Sequence, residues 1–527
     1  MFFGLFKKKE PKREIVINVE RLETRVAVIE NGRLEEFQCE HPTEERLVGS
    51  IFKGRVQNLE NDLQAAFVDI GLKKNAFLHY WDMIPDDENR LDEGDDGDRD
   101  RPRSRTHRFT NEEIQRRFAP GTEIVVQVTK GPISTKGPRV TASLSLPGRH
   151  LVMMPDTNLR GVSRKIGDGE ERKRLKKILD RLPLPENAGL IVRTAGQGAS
   201  KSAFVRDLRS LWEQWNSLQN NIRTLKSPAC VYQEPDLIER VVRDWLTEDV
   251  DRVTIDDVDA YNRVRDIAGK ISRHAKKIVN LYEGPQPLFR YYGIDRQLEE
   301  AFRRKVNLKS GGYLVVDETE ALIAIDVNTG RHRGKGSQEE AILEVNLEAV
   351  DEVARQLRLR NIGGLVVVDL IDMKSRKHQT AVYKAMKAAL KRDRARTNVL
   401  QLSELGLMEM TRQRQESSLL SQMYSDCPYC KGHGVIKSPL AISVDIQRQI
   451  SALMRKERAE GKKEVSLQVI VSPSVMERLR TEDEAFLVEI QRRYDGKLTF
   501  KSELHRHPES FCIADGETGA VLYSVGE

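Results

Sequence analysis

Two aspartates close apolar runs in the middle of the chain, Asp326 after Ala321-Leu-Ile-Ala-Ile and Asp369 after Leu365-Val-Val-Val. Carboxylates brought side by side hold a hard divalent cation through oxygen. Asn328 lies two residues beyond Asp326, so in extended chain it points to the same side and could support the metal shell or a phosphate oxygen. Asp372 is a further carboxylate in range. One strand-end Asp is most simply a turn starter; two at matched ends point to a metal site. Basic residues crowd the pair: Arg331, His332, Arg333 and Lys335 after Asn328, then Lys391, Arg392, Arg394 and Arg396. Arg412 and Arg414 are expected on another helix. A substrate rich in phosphates fits a carboxylate centre in that setting.

The elements that must position the pair are legible. Gly311–Asp317 and Ala321–Asp326 read as strands flanking a turn. Ser337-Gln-Glu-Glu340 is a capping box. The helix it opens carries Ile342, Val345, Ala349, Val350, Val353 and Leu357 on one face, and Asn361-Ile-Gly-Gly364 ends it. Leu365–Asp369 then reads as a strand covered on both faces. A β-α-β unit makes its strands parallel, and ligands gather at the carboxyl ends of such strands.

Cys427-Pro-Tyr-Cys430-Lys-Gly-His-Gly434 has the spacing of a zinc knuckle. Structural zinc needs four ligands, and His433 sits awkwardly in a glycine turn. A second chain bringing its own pair is the simplest completion, so the motif predicts a dimer. Cys39, Cys230 and Cys512 are isolated. Five scattered cysteines in 527 residues exclude a disulfide framework and point to a reducing cytoplasm. A net charge of +6 with 32% charged residues permits nucleic-acid binding through local clusters without requiring it. No run approaches the roughly 20 apolar residues of a membrane span. Residues 1–13 read as a basic tail, with a membrane tether through Met1–Phe6 as the minor reading.

Gly49–Thr141 reads as all-β, with strands at Ile51–Val56, Ala65–Asp69, Ala76–His79 and Glu123–Thr129. Asp86–Arg108, acidic and then basic, reads as a disordered loop. Gly148–Pro235 mixes helix and strand, including a buried strand ending in a glycine turn at Gly196 and a long amphipathic helix over Ala203–Leu225. Leu237–Leu281 is α/β, and the residues after Ser438 form a small α/β unit.

Ala324-Ile-Asp-Val-Asn328, Gln356-Leu-Arg-Leu-Arg360, Gly363–Met373, Asp393-Arg-Ala-Arg396 and Cys427-Pro-Tyr-Cys430 together resemble the catalytic half of the bacterial RNase E/G endoribonucleases. The resemblance extends through Lys53–His79, Gly148–Val152 and Ile191–Gly196. It implies a multidomain α/β fold. An OB-fold RNA-binding barrel of ribosomal-protein type (48–142) and a 5′-sensor domain (143–237) would interrupt an RNase H-like domain (14–47 and 238–301). A DNase I-like catalytic domain (302–423), a zinc link (424–437) and a small C-terminal domain (438–527) would follow.

The resemblance further implies hydrolysis of single-stranded RNA in rRNA and tRNA processing and mRNA decay. Magnesium would be held by Asp326 and Asp369, supported by Asn328, and the products would be 5′-phosphate and 3′-hydroxyl ends. Phe67 and Phe77 match the family's base-stacking aromatics and Lys136 an RNA-contacting lysine; Lys130 and Arg396 are further RNA-binding candidates. Gly148, Val152, Arg193 and Thr194 match a pocket for a 5′-monophosphate, with Arg164 nearby. Cys427 and Cys430 would share zinc between protomers of a homodimer, and dimers would pair into a homotetramer. The chain has the extent of the family's shorter members, so a degradosome-recruiting scaffold is not expected in it.

Overall fold

The computed structural model describes residues 13–42, 46–83, 111–132, 136–163, 165–183, 188–330, 337–413, 418–425, 427–462 and 464–526. Residues 1–12 of the basic tail, the Asp86–Arg108 loop, Arg164, Arg331–Lys335 and Arg414 lie outside the described residues, while Arg13, expected in the tail, begins the first strand. The chain forms two compact units, 1–420 and 421–527.

Among the described residues the first unit holds four sheets. Strands Arg13–Val19, Thr24–Glu30 and Arg33–Glu40 form an antiparallel meander. Its first strand also pairs in parallel with Val250–Ile255, which pairs in parallel with Val279–Leu281. Everything between residues 40 and 250 is therefore inserted into one sheet.

Inside that insertion a barrel closes. Ile51–Glu60 pairs with Ala65–Asp69, which pairs with Ala76–His79. Ala76–His79 pairs in parallel with Arg139–Thr141, Arg139–Thr141 with Glu123–Lys130, and Glu123–Lys130 returns to Ile51–Glu60. Five strands closed in this order are compatible with an OB-fold. Alternation makes the barrel: Phe52, Val56, Ala66, Val68, Ala76, Leu78, Val126 and Val128 point inward. The all-β reading missed the helix Asn111–Arg117, whose Ile114 joins this core. Ala229–Tyr232, within the 143–237 segment, pairs with the barrel strand Ile51–Glu60. Residues 146–192 form a separate four-stranded sheet under the long helix Lys201–Thr224, which buries Phe204, Leu208, Leu211, Trp215 and Leu218 at helical spacing.

The sheet carrying the aspartates runs Lys305–Asn307, Tyr313–Glu318, Leu322–Asn328, Gly364–Asp369, Leu407–Arg412, Thr397–Val399 across. Helix Gln338–Leu359 crosses between its two parallel strands, opened by the Ser337–Glu340 capping box. Asn361 takes the left-handed backbone (φ 49°) that ends this helix, and Ile362 N–H reaches back to the Leu357 carbonyl. Ile323, Ile325, Val327, Val366 and Val368 face that helix and helix Arg376–Leu390 in one core. The other sheet face is open: Leu365 is 43% exposed. The expectation of cover on both faces is corrected here, because both helices pack on the same side. Arg412 stands at the end of a strand rather than on a helix.

The second unit packs Pro439–Ala459, Pro473–Thr481 and Glu484–Tyr494 on a four-stranded sheet. Cys512 is buried in that sheet.

Candidate active site

Asp326 and Asp369 are direct partners in the parallel ladder, both at the carboxyl end and both exposed. Neighbouring strands lie about 4.8 Å apart, so the carboxylates emerge side by side on the open face. Asn328 Nδ2 donates to Asp326 Oδ2 at 2.7 Å. Oxygen donors on adjacent strands, one oriented by a carboxamide, suit a hard cation such as magnesium.

Beyond Asp369 the chain turns under a clamp that the sequence reading missed. Asn346, fully buried on the helix, donates Nδ2 to the Ile371 carbonyl (2.8 Å) and accepts from the Ile371 N–H (3.1 Å). An Asn within the helix's apolar stripe was the available signal. Beside this turn lies an open groove of about 930 Å³, lined among others by Asp372, Met373, Arg376, Tyr383 and Gly406.

The basic residues divide. Lys391 and Arg396 are exposed. Arg392 pairs with Glu30 at 3.0 Å; Arg394 lies over the Trp245 ring at 4.8 Å and near Glu36. Arg412 does not face substrate: it is 6% exposed, its guanidinium forks onto Asp393 at 2.7 and 3.1 Å, and Nη1 donates to the Ile362 carbonyl. Burial without a partner would be costly, so this Arg is structural.

Two motifs of the resemblance prove to be joints. In Gln356–Arg360, Gln356 bonds Glu352 and accepts from the buried Arg360, while Arg358 reaches Glu35 (2.8 Å) and Arg355 the Leu34 carbonyl (2.8 Å). Glu352 also pairs with Arg33. Burial alone would raise Glu352; the bonds from Arg355 and Gln356 outweigh it and hold the carboxyl below its usual range. The helix between the two aspartates is thereby fixed to the first sheet. In Asp393–Arg396, Lys165 Nζ donates to the carbonyls of Asp393 (2.8 Å) and Arg394 (2.9 Å), tying the 143–237 segment to the aspartate sheet.

The sensor candidates share one corner. Val152 and Ile191 are cross-strand partners, Arg193 N–H bonds the His150 carbonyl, and exposed Thr194 begins the next turn. Arg193 Nη1 donates to the Gly148 carbonyl (2.5 Å) and to Asp244 Oδ1 (2.6 Å). Gly148 has no room for a side chain: a Cβ would lie 2.7 Å from the Asp207 carboxylate, which accepts the N–H groups of Arg149, His150 and Leu151. Burial holds His150 below its ordinary range, despite its bond to the Ala195 carbonyl.

On the barrel, Phe67 and Phe77 are cross-strand partners with ring centroids 6.0 Å apart, half exposed on the outer surface. The row continues through His79, stacked on Trp81, which is 68% exposed. Those two were missed because Trp81 stands past the strand end. Lys130 and Lys136 are exposed, and Arg139 pairs in register with Phe77. Such a row beside basic groups has the geometry on which unpaired bases can stack.

Cys427 is exposed and Cys430 half-buried in a turn closed by Lys431 N–H to the Cys427 carbonyl. Backbone N–H groups of Cys430 and Tyr429 hold the Cys427 thiol below its usual range, which favours its thiolate form.

The fold and site thus define a multidomain α/β protein joining a five-stranded barrel to a sheet with paired carboxylates. The model of the Ribonuclease E/G family matches residues 145–415. Ribonuclease G of Haemophilus influenzae is 36% identical over 95% of this chain and 99% of its own length. Ribonuclease G of Escherichia coli K12 is 36% identical over 91% of this chain and 94% of its own. Ribonuclease E of Escherichia coli K12 is also 36% identical, but this chain spans only 44% of its length. The chain belongs to the ribonuclease E/G family.

Proposed function

We propose that this protein is a magnesium-dependent endoribonuclease of single-stranded RNA, acting in rRNA and tRNA processing and mRNA decay. The observation that carries the reading is the in-register pair Asp326 and Asp369 with Asn328 bonded to Asp326; the relatives' name, ribonuclease, supplies the substrate class. Bound magnesium would polarise a phosphate oxygen and lower the pKa of a water. Asp326 and Asp369 would hold the ion. Asn328 fixes the face that Asp326 presents, and exposed Arg396 is available to a backbone phosphate. In-line attack by water leaves 5′-phosphate and 3′-hydroxyl ends.

Phe67 and Phe77 stack bases while Lys130 and Lys136 neutralise phosphates. Gly148, Val152, Arg193 and Thr194 receive a 5′-monophosphate, for which a forked guanidinium is suited. Asp244 already neutralises Arg193, so the phosphate competes with it. The five-strand order of the first sheet supports the RNase H-like reading. Cys427 and Cys430 of two protomers share a zinc in a cytoplasmic homodimer, and dimers pair into a homotetramer. Among the described residues no helix is long and apolar enough to cross a membrane.

Cleavage of 5′-labelled single-stranded RNA, with and without magnesium, tests the reading. Wild type should cut internally only with the ion, and Asp369→Asn should bind RNA and fail to cut. Undiminished cutting by the variant would put the catalytic centre elsewhere, and failure of wild type to cut with magnesium would leave the protein an RNA binder.

A further inference from the structure

Far along the chain from the aspartates, the first sheet brings together three donor types that no part of the proposed mechanism uses. Glu23, Cys39 and His41 each offer a ligand atom, and these atoms lie within 4.8 Å of one another. The juxtaposition follows from the ladder. Cys39 is the register partner of Arg25, and Thr24 that of Glu40. Cys39 and His41, two residues apart along the strand and its extension, project to one side, and Glu23 lies opposite at the strand's end. Among the described residues this is the one group of three or more His, Cys, Asp and Glu so disposed.

A second observation concerns the histidine. His41 Nδ1 lies 3.2 Å from the Leu22 carbonyl, the residue before Glu23. A carbonyl partner fixes the proton on that nitrogen and leaves the other with a lone pair, the usual arrangement of a metal-binding imidazole. Cys39 packs beside the Phe37–Phe289 core, which gives its sulfur a half-buried setting. Arg25 comes within 3.5 Å of Glu23, but its guanidinium is held by Asn18 at 2.8 and 2.6 Å and lies over the Phe289 ring.

We propose that Glu23, Cys39 and His41 form a zinc site within one chain, with water in the fourth position. One thiolate, one imidazole and one carboxylate are a donor set zinc accepts, and neither calcium nor magnesium favours sulfur. Zinc bond lengths put tetrahedral ligands about 3.3–3.6 Å apart, so the trio need close by at most about 1.5 Å on binding. The ion would pin the end of strand Arg33–Glu40, which on its other stretch receives Arg355 and Arg358 from the helix behind the aspartates.

The test is cobalt(II) titration of the full chain carrying Cys427→Ser and Cys430→Ser, which removes the other thiolate pair. One equivalent should produce a thiolate-to-cobalt charge-transfer band, and zinc should displace it. Adding Cys39→Ser should abolish the band with circular dichroism unchanged. His41→Gln, which spares the thiol, should weaken binding by more than about tenfold, the loss that even an outer-shell change can bring. Absence of the band in the Cys427/Cys430 background, its survival in Cys39→Ser, or unchanged affinity in His41→Gln overturns the site. The outcome is independent of RNA cleavage and of any zinc at Cys427 and Cys430.

Discussion

Replacing Asp393 by Asn removes the charge that balances a buried guanidinium. Asp393 is 3% and Arg412 6% exposed, and the two bonds between them are 2.7 and 3.1 Å long. Breaking a buried pair from one side costs about 3–5 kcal/mol, because the surviving charge stays desolvated. Arg412→Met should cost a similar amount, now with the carboxylate stranded. The double change Asp393→Leu with Arg412→Met leaves only the Ala395 N–H and the Ile362 carbonyl without their side-chain partners. At about 1–3 kcal/mol for each buried unsatisfied group, it should cost less than Asp393→Leu and Arg412→Met measured singly and added together.

The strand bearing Arg412 pairs with the Asp369 strand from Gly364↔Arg412 to Asp369↔Leu407. Amide exchange read by mass spectrometry over residues 364–369 and 407–412 reports the loss locally. At about 1.4 kcal/mol per decade, Asp393→Asn should speed exchange there by about two to three and a half decades. Exchange within tenfold of wild type, or strict additivity in the double variant, refutes the reasoning and returns Arg412 to the substrate-facing set.

Asn328→Ala removes one hydrogen bond to an exposed carboxylate; at about 0.5–1.5 kcal/mol, kcat on single-stranded RNA should fall about two- to thirteenfold with KM nearly constant, and a change confined to KM counts against the orienting role. Arg193→Ala should slow cleavage of 5′-monophosphorylated RNA and spare 5′-hydroxyl RNA; Asp244 keeps Arg243 (3.1 Å), so the fold should hold, and equal slowing of both substrates contradicts the sensor. Cys427→Ser should yield mainly smaller oligomers by light scattering and release the zinc shared there; an unchanged mass removes the case for a zinc-joined dimer.

The carboxylate centre was legible because its signals are local. An apolar run ending in Asp occurs twice, a capping box opens the helix between, and Asn361 closes it. What was illegible depends on which surfaces meet. Leu365-Val-Val-Val reads the same whether one sheet face or two are covered, and only the packing of both helices on one side leaves Leu365 in the open. Arg412 looks like any basic residue near a phosphate site until Asp393, 19 positions away, is found against it. Cys39 read as isolated because, although His41 lies two residues on, Glu23 comes beside it only through strand pairing.

A bound 5′ end can speed cleavage elsewhere on the same RNA in two ways: by holding the strand in place or by changing the shape of the centre. The contacts linking the two regions favour the first. Arg193 meets Asp244; Asp244 precedes Trp245, which lies under Arg394; Arg394 follows Asp393, locked on Arg412. Lys165 adds two further bonds across the same seam. A relay needs an element with two arrangements. Each contact here is a paired charge or a stacked ring within one unit, and opening the Asp393–Arg412 pair would expose a cost of several kcal/mol. A rigid seam instead keeps the corner at Arg193 at a fixed span from Asp326 and Asp369, the condition under which a second contact raises local concentration. Loss of Arg193 should therefore appear in KM for 5′-monophosphorylated RNA, with kcat at saturating RNA close to wild type.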